Sequence, residues 1–205
     1  MRTIKTVLAI GAHPDDLELG CGATLAKLAA SGVHVRAVVL TKGTQGASHR
    51  VARCAETQAA LACLGVSDLV QQTFPDTELA SVMPAITRLL EEQCQDLRPD
   101  RVYTMFKDDR HQDHRTVHQA SVIACRAAPQ ILTYETPSSW PNFMPVVFET
   151  VQDFINHKIE ALRLHESQGH REYMQETQIR SVAQFRGYQV GLGPSEGYIP
   201  YKLAL

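Results

Sequence analysis

Apolar positions along the chain fall into runs of two kinds. Short runs rich in β-branched and aromatic residues read as strands: "TVLAIGA" at 6–12, "VHVRAVVLT" at 33–41, "DLVQQTF" at 68–74, "DRVYTMF" at 100–106 and "QILTYET" at 130–136. Between them apolar residues recur at helical spacing, in 17–32, 50–65, 79–99 and 114–128. Gly32 and Gly65 fall where a helix would close, and Pro84 falls in a first turn. Repeated β-α units predict an α/β fold with a mainly parallel sheet and helices on both faces. Such sheets carry their sites at the carboxyl ends of the strands. The segments "AHPDD", "TKGTQG" and "KDDRHQDH" follow the first, second and fourth strands, so all three should open onto one end.

After about residue 136 the pattern changes. "PSSWPNFMP" is proline-rich and irregular, 154–168 is a periodic helix, 172–187 is a further helix, and the tail reads as a loop and a short strand. No repeat or long linker divides the chain, so residues 1–205 read as one domain.

Composition narrows the classes. The 205 residues are 44% hydrophobic and 20% charged, with a net charge of −2. That is globular composition, and with no basic stripe a nucleic-acid partner is not expected. The apolar run behind Met1 is too short and too soon acidic for a signal peptide, and nothing is long enough to span a bilayer, so a cytoplasmic location without a membrane anchor is expected. Five scattered cysteines with no C-x-x-C pair read as small core residues rather than disulfides or zinc ligands.

The chemistry lies at two strand ends. His13, Asp15 and Asp16 follow the first strand; His111, Asp113 and His114 follow the fourth, with Asp108 and Asp109 just before them. A catalytic zinc takes three His or carboxylate ligands and keeps a position for water. His13, Asp16 and His114 would supply two imidazoles and a carboxylate. The metal would bring its water toward a neutral pKa, Asp15 would take the proton, and His111 would act as acid or charge stabiliser with Asp113 orienting its other nitrogen. Either cluster alone has a plainer reading. "HPDD" also fits a helix N-terminus, and "HQDHRTVH" a polar helix start with His118 on the solvated face. Two such clusters on one sheet edge favour the metal. Neither Cys21 nor Ser48 carries a local nucleophile signature.

"AHPDDLELG" at 12–20, "DRHQDH" at 109–114, "RCAETQAALACLG" at 53–65, "ALRLHESQ" at 161–168 and "SEGY" at 195–198 together resemble the PIG-L/LmbE family of zinc-dependent N-deacetylases. The resemblance implies a Rossmann-like fold, one zinc per chain, an N-acetylglucosamine-type substrate and a homo-oligomer. It implies the same roles for His13, Asp16, His114, Asp15, His111 and Asp113, and a substrate-facing Arg53. A surface pair of Arg53 with Glu56 is the alternative. Relatives carry a tyrosine before the glutamate of the tail motif. Pro194 stands there in this chain, leaving Tyr188 or Tyr198 as substitutes. Specificity is expected from "TQGASHR" and "PSSWPNFMP", where Trp140 either stacks on a sugar or caps the core. The rival readings are a non-catalytic metal-dependent sugar-binding protein and a nucleotide-binding protein. The acidic first turn, with no G-x-G-x-x-G, argues against the latter.

Overall fold

A computed structural model describes residues 3–45 and 53–204. The first part alternates as expected: β1 (Thr6–Gly11), α1 (Asp16–Ala30), β2 (His34–Thr41), α2 (Arg53–Cys63), β3 (Asp68–Phe74), α3 (Met83–Leu97), β4 (Arg101–Met105), α4 (Gln112–Ala124) and β5 (Gln130–Tyr134). Pro84 does stand in the first turn of α3. The residues 50–52 assigned to the second helix lie outside the described residues, as do Ser48 and most of "TQGASHR".

The second part departs from expectation. A strand not foreseen, β6 (Val147–Thr150), precedes α5 (Ile155–Arg163) and α6 (Glu176–Tyr188), and the tail forms a nine-residue strand, β7 (Ser195–Leu203). The helix expected over 154–168 stops at Arg163, and Glu166–Gln168 is a separate 3-10 turn. The helix expected from Glu172 starts at Glu176, because Gln175 before it is extended.

The sheet has the order β3-β2-β1-β4-β5-β7-β6. β1 to β5 are parallel; β7 runs antiparallel between β5 and β6. Val7 to Ile10 of β1 are wholly buried, as a central parallel strand covered on both faces requires. The chain crosses from one half of the sheet to the other between β1 and β4. Their carboxyl ends therefore splay and leave a crevice. His13 to Asp16 leave one of those ends and His111 to His114 follow the other. Among the described residues no helix is long and apolar enough to cross a membrane.

α1 is broken at Cys21, whose φ of −143° is not helical. In an unbroken helix the Ala23 N–H would donate to the Leu19 carbonyl. Here Glu196 accepts from Ala23 N–H at 3.2 Å and Thr24 N–H at 2.7 Å, while Lys158 Nζ donates to the Leu19 carbonyl at 2.7 Å and to Glu196 at 2.7 Å. An ion pair from α5 and β7 thus splices the helix. The break gives the first turn of α1, which carries Asp16, a direction of its own. It also brings Gly20 against Tyr134: a Cβ there would lie 2.0 Å from the ring, so only glycine fits.

Candidate active site

The turn from β1 into α1 sets the first cluster. Asp15 has φ +96°, a left-handed conformation that Asp and Asn tolerate better than most residues. Its side chain caps no helical amide, so the plain N-cap reading does not describe it. Instead Asp15 Oδ2 accepts from Arg53 Nη2 at 2.9 Å. Arg53 also donates to the Pro14 carbonyl at 2.6 Å and the Gly43 carbonyl at 2.8 Å, and is buried. The surface pair of Arg53 with Glu56 does not form; Glu56 accepts from the Ser167 N–H and hydroxyl.

The two strand ends meet. His13 Nδ1 lies 3.4 Å from Asp16 Oδ2, and His114 Nε2 lies 3.4 Å from Asp16 Oδ1. Ring nitrogens of His13, His111 and His114 lie within 4.8 Å of one another. Ligands about 2.0–2.1 Å from a tetrahedral zinc stand about 3.3 Å apart, and the two 3.4 Å contacts of Asp16 with His13 and His114 match that spacing.

The outer nitrogens are held by carboxylates, as ligating imidazoles commonly are. His13 Nε2 faces Asp113 Oδ2 at 3.1 Å and Asp76 Oδ1 at 3.2 Å. His114 Nδ1 faces Asp109 Oδ2 at 3.1 Å and Ser138 Oγ at 3.2 Å. That leaves His13 Nδ1 and His114 Nε2 turned to Asp16. Asp113 therefore does not orient His111 through its carboxylate, as expected from sequence. The carboxylate accepts from the Thr77 N–H at 2.7 Å and the Leu79 N–H at 3.1 Å, which aim it at His13. His111 is instead the N-cap of α4: its Nδ1 accepts from the Asp113 backbone N–H at 3.2 Å, which puts the neutral ring's proton on Nε2.

Charge follows this geometry. Burial opposes a charge on His13, but Asp113, Asp16 and Asp76 outweigh it and raise its pKa well above the ordinary value. His114 is likewise penalised by burial yet brought up to about 9 by Asp16 and Asp109. Burial and the neighbouring imidazolium charges lower His111, which stays neutral. Desolvation pushes Asp15 up to about 6 against the pull of Arg53. Behind them, the side chains of Glu18 and His165 face each other at 3.2 Å, buried.

A cavity of about 380 Å³ opens over these groups. Asp15, Arg53 and His111 line it, with Gln168, Arg171 and Tyr173 from the C-terminal part. An adjoining cleft of about 390 Å³ shares Leu19, Pro137 and Tyr173 and continues along Ile179, Val182 and Ala183 of α6. Neither expected tyrosine reaches the cavity. Tyr198 is buried in the helix splice, where its hydroxyl donates to Glu196 at 3.1 Å and lies 2.6 Å from the Thr24 hydroxyl, and Tyr188 is exposed on α6. Tyr173 is the tyrosine present at the site. Trp140 is half exposed, capping no core and lining neither space. His118 is not on a solvated face: it is buried, with Nδ1 beside the Met105 carbonyl.

Sequence reasoning did not single out Asp76 or Tyr173, and noted Asp109 without giving it a role. Only Asp109 had a local signal, the paired aspartates before "RHQDH". Its carboxylate takes His114, the His111 N–H at 2.8 Å and the Thr136 hydroxyl at 2.8 Å. Asp109→Asn should weaken divalent-metal binding about 10–100-fold. Competition against a chromophoric chelator measures this. Asp108→Asn, whose carboxylate meets Lys107 and Asn142 at the surface, should bind like wild type.

Comparison with known proteins points to one family. A family model described as "PIG-L: GlcNAc-PI de-N-acetylase" matches residues 8–125. The uncharacterized deacetylase YaiS of Escherichia coli K12 is 47% identical over 169 residues, covering 80% of this chain and 91% of that protein. The N,N'-diacetylchitobiose deacetylase of Pyrococcus horikoshii, solved with an inhibitor, superposes with a TM-score of 0.79 at 25% identity, covering 96% of this chain and 84% of that one. A 4-carboxy-2-hydroxymuconate hydratase of Pseudomonas putida superposes with a TM-score of 0.84 at 19% identity, covering 98% of each chain. At that identity the likeness is one of fold alone, and the fold by itself does not choose a reaction.

Proposed function

The chain belongs to the PIG-L family, and on that premise we propose that it is a zinc-dependent deacetylase that removes the acetyl group of an N-acetylglucosamine-type sugar or conjugate and releases acetate. The observation that carries this reading is an unligated, buried carboxylate, Asp15, beside a His–Asp–His donor set in a cavity of sugar-ring size. A binding protein needs the donor set but not the base.

His13 Nδ1, the carboxylate of Asp16 and His114 Nε2 would hold the metal. Bound there, zinc would polarise the acetamide carbonyl and lower the pKa of the attacking water. Asp15 takes the proton of that water as it adds to the carbonyl carbon, and Arg53 keeps the carboxylate aimed. His111 donates from Nε2 to the oxygen on which charge develops; its neutral state and N-cap anchoring present one donor at one place. The C–N bond then breaks, the proton on Asp15 passes to the leaving nitrogen, and acetate departs. No covalent intermediate is needed. The adjoining cleft gives room for whatever the sugar carries.

The test couples metal content to turnover. Purified chain is measured by elemental mass spectrometry and assayed for acetate release from N-acetylglucosamine conjugates, before and after chelation. About one zinc per chain and a chelator-sensitive, zinc-restored release support the reading. Bound zinc without release from any N-acetylated sugar that binds would leave the non-catalytic sugar-binding protein standing in its place.

A further inference from the structure

We propose that Cys94 and Cys125 form a redox-reactive thiol pair that a peroxide closes to a disulfide, at the opposite end of the sheet from the metal site. Their sulfurs lie 2.9 Å apart, against about 2.05 Å in a disulfide, so the bond needs a shift of under an ångström. Cys94 is in the last turn of α3 and Cys125 caps the C-terminus of α4. Pro99 and Pro129, which precede β4 and β5, line the same cavity of about 640 Å³. Cys21 and Cys125 lie in the core and Cys94 packs against it, as expected of small core residues, and the pairing of the last two adds a chemistry to that role.

The two thiols differ in a useful way. Cys125 is wholly buried, whereas Cys94 is half-buried and lines the cavity together with Arg98 and Arg126. An oxidant entering the cavity meets Cys94 first; Glu91, which lines the same cavity and pairs with Arg126 at 2.7 Å, opposes a thiolate on Cys94, so it is the Cys125 thiol that must favour one. The buried Cys125 can donate its proton to that thiolate, which lowers the Cys94 pKa and raises its own. Cys94 thus has the character of an attacking thiol and Cys125 of a resolving one.

The steps balance. The Cys94 thiolate attacks one peroxide oxygen, the O–O bond breaks, and hydroxide leaves and takes a proton. The Cys94 sulfenic acid so formed is attacked by Cys125 Sγ. The S–O bond breaks, and water leaves with the proton of Cys125. Two thiols lose two electrons and hydrogen peroxide becomes two waters. The closed ring spans 31 positions, including β4 and the segment that bears His111 and His114. It should therefore raise the melting temperature by constraining the unfolded chain.

The experiment treats the full-length chain with equimolar hydrogen peroxide, then denatures it, alkylates free thiols and maps the peptides. A Cys94–Cys125 linked peptide, a loss of ~2 Da from two hydrogens and a raised melting temperature are expected. Cys125→Ser should instead accumulate sulfenic acid on Cys94, trapped by a carbon nucleophile. The proposal is overturned if all cysteines remain alkylatable, if the linkage forms elsewhere, or if wild-type Cys94 goes to sulfinic acid unlinked. None of these outcomes depends on deacetylation.

Discussion

Asp15→Asn is expected to release acetate about 10²–10⁴-fold more slowly than wild type while holding zinc as tightly. Asparagine is chosen over alanine for a backbone reason. Residue 15 sits at φ +96°, where Asn is nearly as tolerable as Asp and Ala would add strain to the turn that carries His13 and Asp16. The amide oxygen can still accept from Arg53, and Arg53 keeps the Pro14 and Gly43 carbonyls, so the buried guanidinium is not stranded. What disappears is the group that accepts the proton of the attacking water. The fall should therefore appear in kcat and in kcat/KM alike, with metal content near one per chain. A raised KM with unchanged kcat would make Asp15 a sugar-binding residue. Wild-type kcat would remove it from the mechanism altogether.

Most residues of this site were legible because its chemistry is local. A strand end followed by "HPDD" and another followed by "RHQDH" lie on one edge of any parallel sheet in which those strands are neighbours, and β1 and β4 are. Partners that come from far along the chain were not legible. Asp76 reaches His13 from the segment after β3, and Arg53 could be read equally as facing Glu56 until burial placed it on Asp15. The role of Asp113 was misread for the same reason: sequence proximity suggested His111, whereas the Thr77 and Leu79 amides turn its carboxylate to His13. In the fold, alternation gave the five parallel strands. It gave no hint that the tail doubles back as a long antiparallel strand between β5 and β6, since pairing between strands 45 or more residues apart leaves no periodicity. Helix 17–32 looked continuous, and the break at Cys21 follows from tertiary contacts that no local pattern carries.

That break supports the second large effect. Lys158→Met should lower stability by about 3–5 kcal/mol, the usual consequence of removing one partner of a buried ion pair. For a chain of this length the melting temperature should fall by roughly 6–20 °C. Methionine keeps the length and apolar stem of lysine, so the loss is of the ammonium rather than of packing. Without it the Glu196 carboxylate stays buried with, among the described residues, the Ala23 and Thr24 amides and the Tyr198 hydroxyl, and the Leu19 carbonyl loses the donor at 2.7 Å. The effect reaches the metal as well. Asp16 stands on the short first turn of α1, and the splice joins that turn to the rest of the helix. Lys158→Met should therefore bind zinc more weakly even well below its melting temperature, although Lys158 touches no ligand. Lys158→Met combined with Glu196→Gln should recover part of the stability, since the uncompensated carboxylate is gone, but not the metal affinity, because the helix is still unspliced. Thermal unfolding and chelator competition on the single and double variants separate the two contributions. A single variant melting within about 2 °C of wild type would mean that water or a neighbouring donor replaces the ammonium, and that the pair does not hold α1 together.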